Sequence, residues 1–149
     1  MRKINGVGLF LLNKEREFYA IEELVMKRGV VSKNAGDLSI PLETMNAGER
    51  HEDAIRRLYV EEVDAHGVIV TTAPLYIGKY VFAERHQITS VFLYQATLLE
   101  LPRVPFVGSH GGEEYNPYGF ISEGELLEKG RHGTEDLLRV WHFWLGHLE

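Results

Sequence analysis

The 149-residue chain contains no cysteine. This excludes a disulfide scaffold, a thiolate zinc site and a cysteine nucleophile. A chain of this length buries roughly 70% of its unfolded surface, so it needs neither a cross-link nor a structural metal to hold a core. We expect one domain covering residues 1–149.

Long hydrophobic runs and an excess of positive charge are also missing. No apolar run approaches the roughly 20 residues that span a membrane, and the first residues lack the apolar segment of a signal peptide. We therefore expect a cytoplasmic protein without a membrane partner. The net charge of −6 argues against nucleic acid as a partner, because binding phosphates requires a positive field. An acidic chain suits divalent cations, which take oxygen ligands.

Several catalytic motifs are absent. There is no Gly-x-Ser-x-Gly elbow, and the glycines at 108–112 lack the Lys-Ser/Thr of a phosphate-binding Walker loop. The seven histidines do not have the spacing of zinc ligands. The chemistry must therefore be sought among other residue types.

The apolar pattern predicts an α/β fold. Val7–Leu12 is apolar at every position except Gly8, which is typical of a central strand covered on both faces. The other predicted strands are 18–26, 38–41, 68–72, 75–82, 89–99 and 118–121, and 102–117 is predicted as a long loop. Helices are predicted at 50–63, from Ser122 with a capping-box spacing to Glu125, and at 134–147. We expect a sandwich with a mixed β-sheet flanked by helices.

The helix over 50–63 carries an apolar stripe. At about 100° per residue, Ala54, Ile55 and Leu58 share one side, which should face the sheet. Glu61 and Glu62 project on that same half.

Two adjacent carboxylates on the inward half of a helix need a cation or hydrogen-bond donors, because their desolvation is costly. A divalent metal is a natural partner for Glu61 and Glu62, and Arg57 precedes Glu61 by one turn, within reach of an ion pair. The alternative is an ordinary solvated helix end, since charged side chains are mostly exposed.

The spacing of these residues resembles the Nudix signature, which reads Gly, five residues, Glu, seven residues, Arg-Glu-apolar-any-Glu-Glu-any-Gly-apolar. Residues 43–65 align with it without a gap. The matching positions are Glu49, Arg57, Glu61 and Glu62. The flanks agree, with Leu24–Arg28, Leu38–Pro41 and Ile121–Leu126 resembling family segments.

Three positions depart from the signature. The family's opening Gly-Gly is here Leu42-Glu43, the Glu after the Arg is Leu58, and the Gly after the Glu pair is Asp64. Leu58 is expected to fill one corner of the family's carboxylate cluster with an apolar side chain and so to weaken metal affinity; restoring glutamate there should tighten Mg²⁺ binding. Glu43 should restrict the backbone at a turn.

The resemblance implies a Nudix-like α/β/α sandwich and a pyrophosphohydrolase that cleaves a diphosphate linkage in a nucleoside-diphosphate derivative. Glu61 and Glu62 would hold Mg²⁺ or Mn²⁺ while water attacks phosphorus. Arg57 would orient a glutamate, and Glu49 would tie the preceding loop to the helix through Arg57. The general base would come from a later loop containing Glu113 and Glu114, and Glu114 is taken as the catalytic candidate. Lys27 and Arg28 would meet substrate phosphate.

Other interpretations stay open. Lys27 and Arg28 also suit an ordinary strand end, and Glu113 and Glu114 a solvated loop. The departures at Leu58 and Leu42-Glu43 also fit a Nudix-fold module that binds a nucleotide without turnover. A third alternative is an interaction domain that uses its acidic surface or the Trp-rich last helix. Homodimers are frequent in the family, so the expected oligomer is a homodimer.

Overall fold

The computed structural model describes residues 1–23, 36–60, 71–99 and 115–148, with residues 115–117 described by their backbone only. This part of the chain forms seven strands and three helices. In chain order they are β1 Arg2–Leu12, β2 Phe18–Glu23, β3 Leu38–Ser39, β4 Leu42–Thr44, α1 His51–Leu58, β5 Leu75–Glu84, β6 Gln87–Thr97, β7 Tyr115–Ile121, α2 Glu123–Lys129 and α3 Thr134–Leu148.

All seven strands belong to one mixed sheet. The order across the sheet is β3-β2-β1-β6-β5, with β4 also paired to β1 and β7 to β2. β1 and β6 run parallel over their whole length, from Arg2 opposite Gln87 to Leu12 opposite Thr97. The other pairs are antiparallel. The mixed sheet therefore matches the sequence-based prediction.

The central strand β1 divides its side chains between two cores, because alternate residues of a strand point to opposite faces. Val7, Leu9 and Leu11 pack with the buried face of α1. Phe10 and Leu12 pack on the other face with residues of α2 and α3. The helices thus cover both faces of the sheet, which confirms the predicted α/β/α sandwich.

The core beneath α3 is built on aromatic contacts. Trp141 is buried, lies edge-on to Phe18 with ring centroids 5.0 Å apart, and donates from Nε1 to Gln95 Oε1 at 2.6 Å. Trp144 is partly buried against the same core, whereas Phe143 is 71% exposed. The aromatic residues of α3 therefore divide between core packing and surface.

Several element boundaries differ from those predicted. α1 ends at Leu58, followed by a π-type turn at residues 59–60, and the rest of the predicted 50–63 helix lies outside the described residues. Residues 115–117 belong to β7 instead of the predicted loop. They pair with residues 21–23 of β2, beyond a register irregularity between Ala20 and Ile21, so long-range pairing extends the strand past Pro117. No helix in the described ranges is long and apolar enough to cross a membrane.

Candidate functional site

Helix α1 carries the residues that the sequence singled out. Its buried side consists of Ala54, Ile55 and Leu58, which confirms the predicted stripe. Acidic residues occupy its first turn and basic residues its last turn, a charge order that favours the helix dipole at both ends. Burial of this stripe sets the rotation of α1 about its own axis, and in that orientation Arg57 lies beside the buried stripe.

A tight turn connects β4 to α1 and positions Glu49. Gly48 has φ +75°, a left-handed conformation that glycine adopts without steric cost. The Glu49 N–H donates to the Asn46 carbonyl at 3.0 Å, and the Asn46 N–H donates to Glu49 Oε1 at 2.9 Å. These reciprocal bonds aim the Glu49 carboxylate toward the helix.

Arg57 is held by three acceptors from the segment that precedes α1. Its Nε and Nη2 donate to the two oxygens of Glu49 at 3.2 and 3.0 Å, which makes a bidentate pair. Nη2 also donates to the Thr44 carbonyl at 2.9 Å, and Nη1 lies 3.2 Å from Glu43 Oε1. Glu49 therefore ties the loop to the helix through Arg57, as the sequence predicted.

Hydrogen bonds within this cluster shift the pKa values of Glu49 and Arg57 in favour of their charged forms. The hydrogen bond from Arg57 is the main cause that lowers the pKa of Glu49 below its ordinary 4.5, and the Asn46 N–H lowers it further. The hydrogen bond to Glu49 is the largest of the causes that raise the pKa of Arg57 above its usual value. Both shifts favour the charged forms, so Glu49 and Arg57 form an ion pair at neutral pH.

Glu43 is a further contact of Arg57, to which the sequence analysis gave no role. It lies in β4, opposite Val7 of β1, and it is not among the residues with positive φ. The expected loss of backbone freedom at a turn is therefore wrong, because this position is in a strand. The signal that could have indicated this contact is that Glu43 is a second carboxylate, besides Glu49, before Arg57 in the sequence.

Leu58 lies in the core. It is fully buried, in a cluster that includes Leu9, Tyr19 and Tyr94. The expectation that glutamate at this position would tighten Mg²⁺ binding needs correction, since a carboxylate here would enter an apolar core without a partner. The apolar stripe, not the carboxylate cluster, determines the position of this side chain.

The remaining predicted site residues lie outside the described part of the chain. They are Lys27, Arg28, Glu61, Glu62, Asp64, Glu113 and Glu114. Helical bonding continues to Tyr59, whose N–H donates to the Ile55 carbonyl, but the description stops at Val60. The facing of Glu61 and Glu62 and the roles of the other predicted residues therefore stay predictions.

The described carboxylates of this region do not form a metal site by themselves. Glu43 and Glu49 both bind Arg57, and the described ranges hold no group of three or more His, Asp or Glu side chains arranged for a metal. Glu61 and Glu62, whose oxygens are of the type that Mg²⁺ and Mn²⁺ prefer, stay the predicted metal ligands.

Comparison with known proteins identifies the fold. Neither a family model nor a curated protein matches the sequence. Among solved structures, a MutT Nudix hydrolase from Burkholderia pseudomallei is 16% identical with a TM-score of 0.69, over 93% of this chain and 98% of that one. A Nudix hydrolase from Nitrosomonas europaea has a TM-score of 0.69 at 14% identity, over 95% and 89%. A MutT protein from Methanosarcina mazei has a TM-score of 0.64 at 16% identity, over 95% and 94%.

Proposed function

We propose that this chain, which has the Nudix fold, is a divalent-metal-dependent hydrolase that cleaves a diphosphate linkage in a nucleoside-diphosphate derivative. The Arg57–Glu49 pair is the observation that carries the proposal. The Nudix signature separates this Glu and Arg by seven residues, and in the fold that separation brings them into a bidentate pair.

The paired residues position the helix that precedes Glu61 and Glu62. Arg57 binds two residues of β4 and Glu49 of the following turn, so the last turn of α1 is fixed to the segment before it. In this proposal Arg57 and Glu49 are positioning residues. Glu61 and Glu62 are the metal-binding and catalytic carboxylates, and Glu114 is the general base.

The metal would be Mg²⁺ or Mn²⁺. Bound there, it would offset the negative charge that develops on the phosphate oxygens. The chain itself would supply the metal-binding carboxylates and would bind the substrate phosphate through Lys27 and Arg28. Glu114 would accept a proton from the attacking water.

A second candidate function is nucleotide binding without turnover. Leu58 favours it, because this position carries glutamate in the signature and a fully buried leucine here. Such a module would keep the fold and the Arg57–Glu49 pair. It would bind its nucleotide with little dependence on a divalent metal.

The test is a substrate screen with Mg²⁺ and with Mn²⁺. The panel contains nucleoside triphosphates, ADP-ribose, NADH, dinucleoside polyphosphates and sugar nucleotides, and the assay follows the release of phosphate or nucleotide. Glu61→Gln and Glu62→Gln are compared with Glu128→Gln, which removes an exposed carboxylate on α2.

We expect turnover of one substrate class by the wild type and by Glu128→Gln, and its loss in both other variants. If no substrate of the panel is hydrolysed and one nucleotide raises the melting temperature without a metal, the hydrolase proposal is wrong and the binding module is supported. Neither turnover nor a shift would exclude both functions.

A further inference from the structure

Strand β5 is at the end of the strand order, so within the described residues it pairs with β6 alone. It is ten residues long, contains no proline, and has only Lys79 as a charged residue before Glu84. Natural edge strands are commonly short, or carry proline or several charges, because an open edge invites another strand. Apart from one irregularity, between Tyr76 and Gly78, β5 lacks these protective features.

The peptide groups of β5 point alternately toward and away from β6. The hairpin closes over a two-residue turn, with Glu84 opposite Gln87, and residues that flank such a turn form a hydrogen-bonded pair. Hydrogen-bonded pairs alternate along an antiparallel ladder. Lys79, Val81 and Ala83 therefore direct their N–H and C=O groups away from β6, toward the outer edge.

The side chains on this edge are apolar and solvent-exposed. Val81 is 47% exposed on a face that α3 does not cover. On the other face, Tyr80 and Phe82 stack at 5.7 Å and are half-buried, and the Tyr80 hydroxyl donates to Asp136 of α3 at 3.0 Å. The edge thus offers both hydrogen-bonding groups and apolar surface to another strand.

A second copy of β5 is complementary to this edge. The regular part of the strand beyond the irregularity is Gly78–Glu84, and its midpoint is Val81. An antiparallel pair of copies with a two-fold axis at Val81 would place Lys79 opposite Ala83, Tyr80 opposite Phe82 and Gly78 opposite Glu84. No like charges face each other, and the aromatic cross-strand pairs are of a stabilising kind.

We propose that two copies of this chain pair through β5 and join their sheets into one sheet across a two-fold axis at Val81. The interface uses the outward peptide groups of Lys79, Val81 and Ala83. It is independent of the hydrolase proposal, because it involves neither α1 nor the residues assigned to the reaction.

The first experiment measures mass in solution. The chain has a mass of 17.0 kDa, so light scattering after gel filtration should give about twice that value for the wild type. Val81→Glu places like charges opposite each other at the axis, and we expect it to weaken the dimer more than about tenfold. Leu127→Glu on α2 is the matched control, since Leu127 is also 47% exposed, and it should remain dimeric.

The second experiment tests the register by cross-linking. The chain lacks cysteine, so a single introduced thiol reports on one position. Val81→Cys should cross-link to its copy with a short bismaleimide. Ala83→Cys should not, because its two copies would be separated by about four residues along the strand, roughly 13 Å. A mixture of Lys79→Cys and Ala83→Cys should form the cross-linked heterodimer.

A 17.0 kDa species at high micromolar concentration would overturn the proposal. A dimer that is insensitive to Val81→Glu would also overturn it, and so would cross-linking of Ala83→Cys equal to that of Val81→Cys. If Val81→Glu fails to fold, as judged by circular dichroism, the wild-type mass and the cross-linking pattern decide the question.

Discussion

At the scale of single residues, Arg57 connects helix α1 to the segment that precedes it. The Arg57 side chain binds two carboxylates and one backbone carbonyl, and it is only 25% exposed. The two carboxylates are similarly shielded, at 26% for Glu43 and 14% for Glu49. The partial burial separates this cluster from the ordinary ion pairs on the outer surface of α1, such as Arg50–Asp53.

Arg57→Ala should destabilise the protein. The change leaves Glu43, Glu49 and the Thr44 carbonyl without this donor, and an acceptor that loses its partner costs about 1–3 kcal/mol. The free energy of unfolding from a urea titration measures the effect. Arg56→Ala is the control, since the Arg56 side chain is 76% exposed and its loss should change stability by less than about 0.5 kcal/mol. Equal effects of the two changes would contradict this assignment.

The Glu49 carboxylate should make stability depend on pH in acid. Its native pKa is below 4.5, mainly through the Arg57 hydrogen bond. Below pH 4.5 the unfolded chain therefore binds the proton first, and the stabilisation is lost as the pH falls through the native pKa. Wild type should exceed Glu49→Gln in stability at pH 7, and the gap should narrow as the pH falls below 4.5. A series of urea titrations from pH 7 into acid measures it, and a constant gap would exclude this origin.

At the scale of elements, α1 combines two requirements on opposite sides. Its buried residues must fit the core against β1 and β6, while Arg57 must reach back to the segment that includes β4. Both are satisfied up to Leu58, where the regular helix ends. A π-type turn follows, and such turns occur frequently at functional sites.

Substitutions at Leu58 should follow its burial. Leu58→Ala should cost about 2–5 kcal/mol, and Leu58→Met less than about 1.5 kcal/mol. Leu58→Glu should prevent folding, because the buried carboxylate would lack a partner. Near-ultraviolet circular dichroism and urea titrations distinguish these outcomes. Val60→Glu is the control, since Val60 is 54% exposed. A folded Leu58→Glu protein with tighter Mg²⁺ binding would restore the sequence-based expectation.

At the scale of the whole molecule, one buried ion pair joins the sheet to the connection between α2 and α3. Arg131 Nη1 lies 3.5 Å from Glu23 Oε1, with side-chain exposures of 17% and 4%. The Arg131 N–H also donates to the Leu38 carbonyl at 2.8 Å. Burial lowers the pKa of Arg131, an effect that Glu23 and Asp37 oppose. The pair thus links β2 and β3 to the helical layer.

Arg131→Met should destabilise the protein strongly. The change removes one partner of Glu23, whose side chain is 4% exposed, and breaking a buried ion pair costs about 3–5 kcal/mol. Adding Glu23→Gln should recover part of the loss, because a neutral amide is less costly to bury than a carboxylate. Urea titrations of the two single variants and the double variant give the coupling energy. Additive effects would show that the two side chains do not depend on each other.

The sequence alone determined the features that arise from local periodicity. The continuous apolar run of β1, the apolar stripe of α1 and the Ser122 cap depend on residues a few positions apart. The Ser122 Oγ accepts from the Glu125 N–H at 3.1 Å. The resemblance to the Nudix signature, which is itself a pattern of nearby residues, implied that Glu49 binds Arg57, and the two form a bidentate pair.

Only the tertiary structure decided which distant segments meet. Glu43 reaches Arg57 because β4 pairs with β1, and Leu58 becomes fully buried because β1 and β6 lie beneath it. Among the described strands, β5 takes an end position of the strand order because β6 has β1 as its other neighbour. Spacing along the chain specifies local geometry, whereas strand pairing across the sheet depends on how all the elements bury their apolar surfaces together.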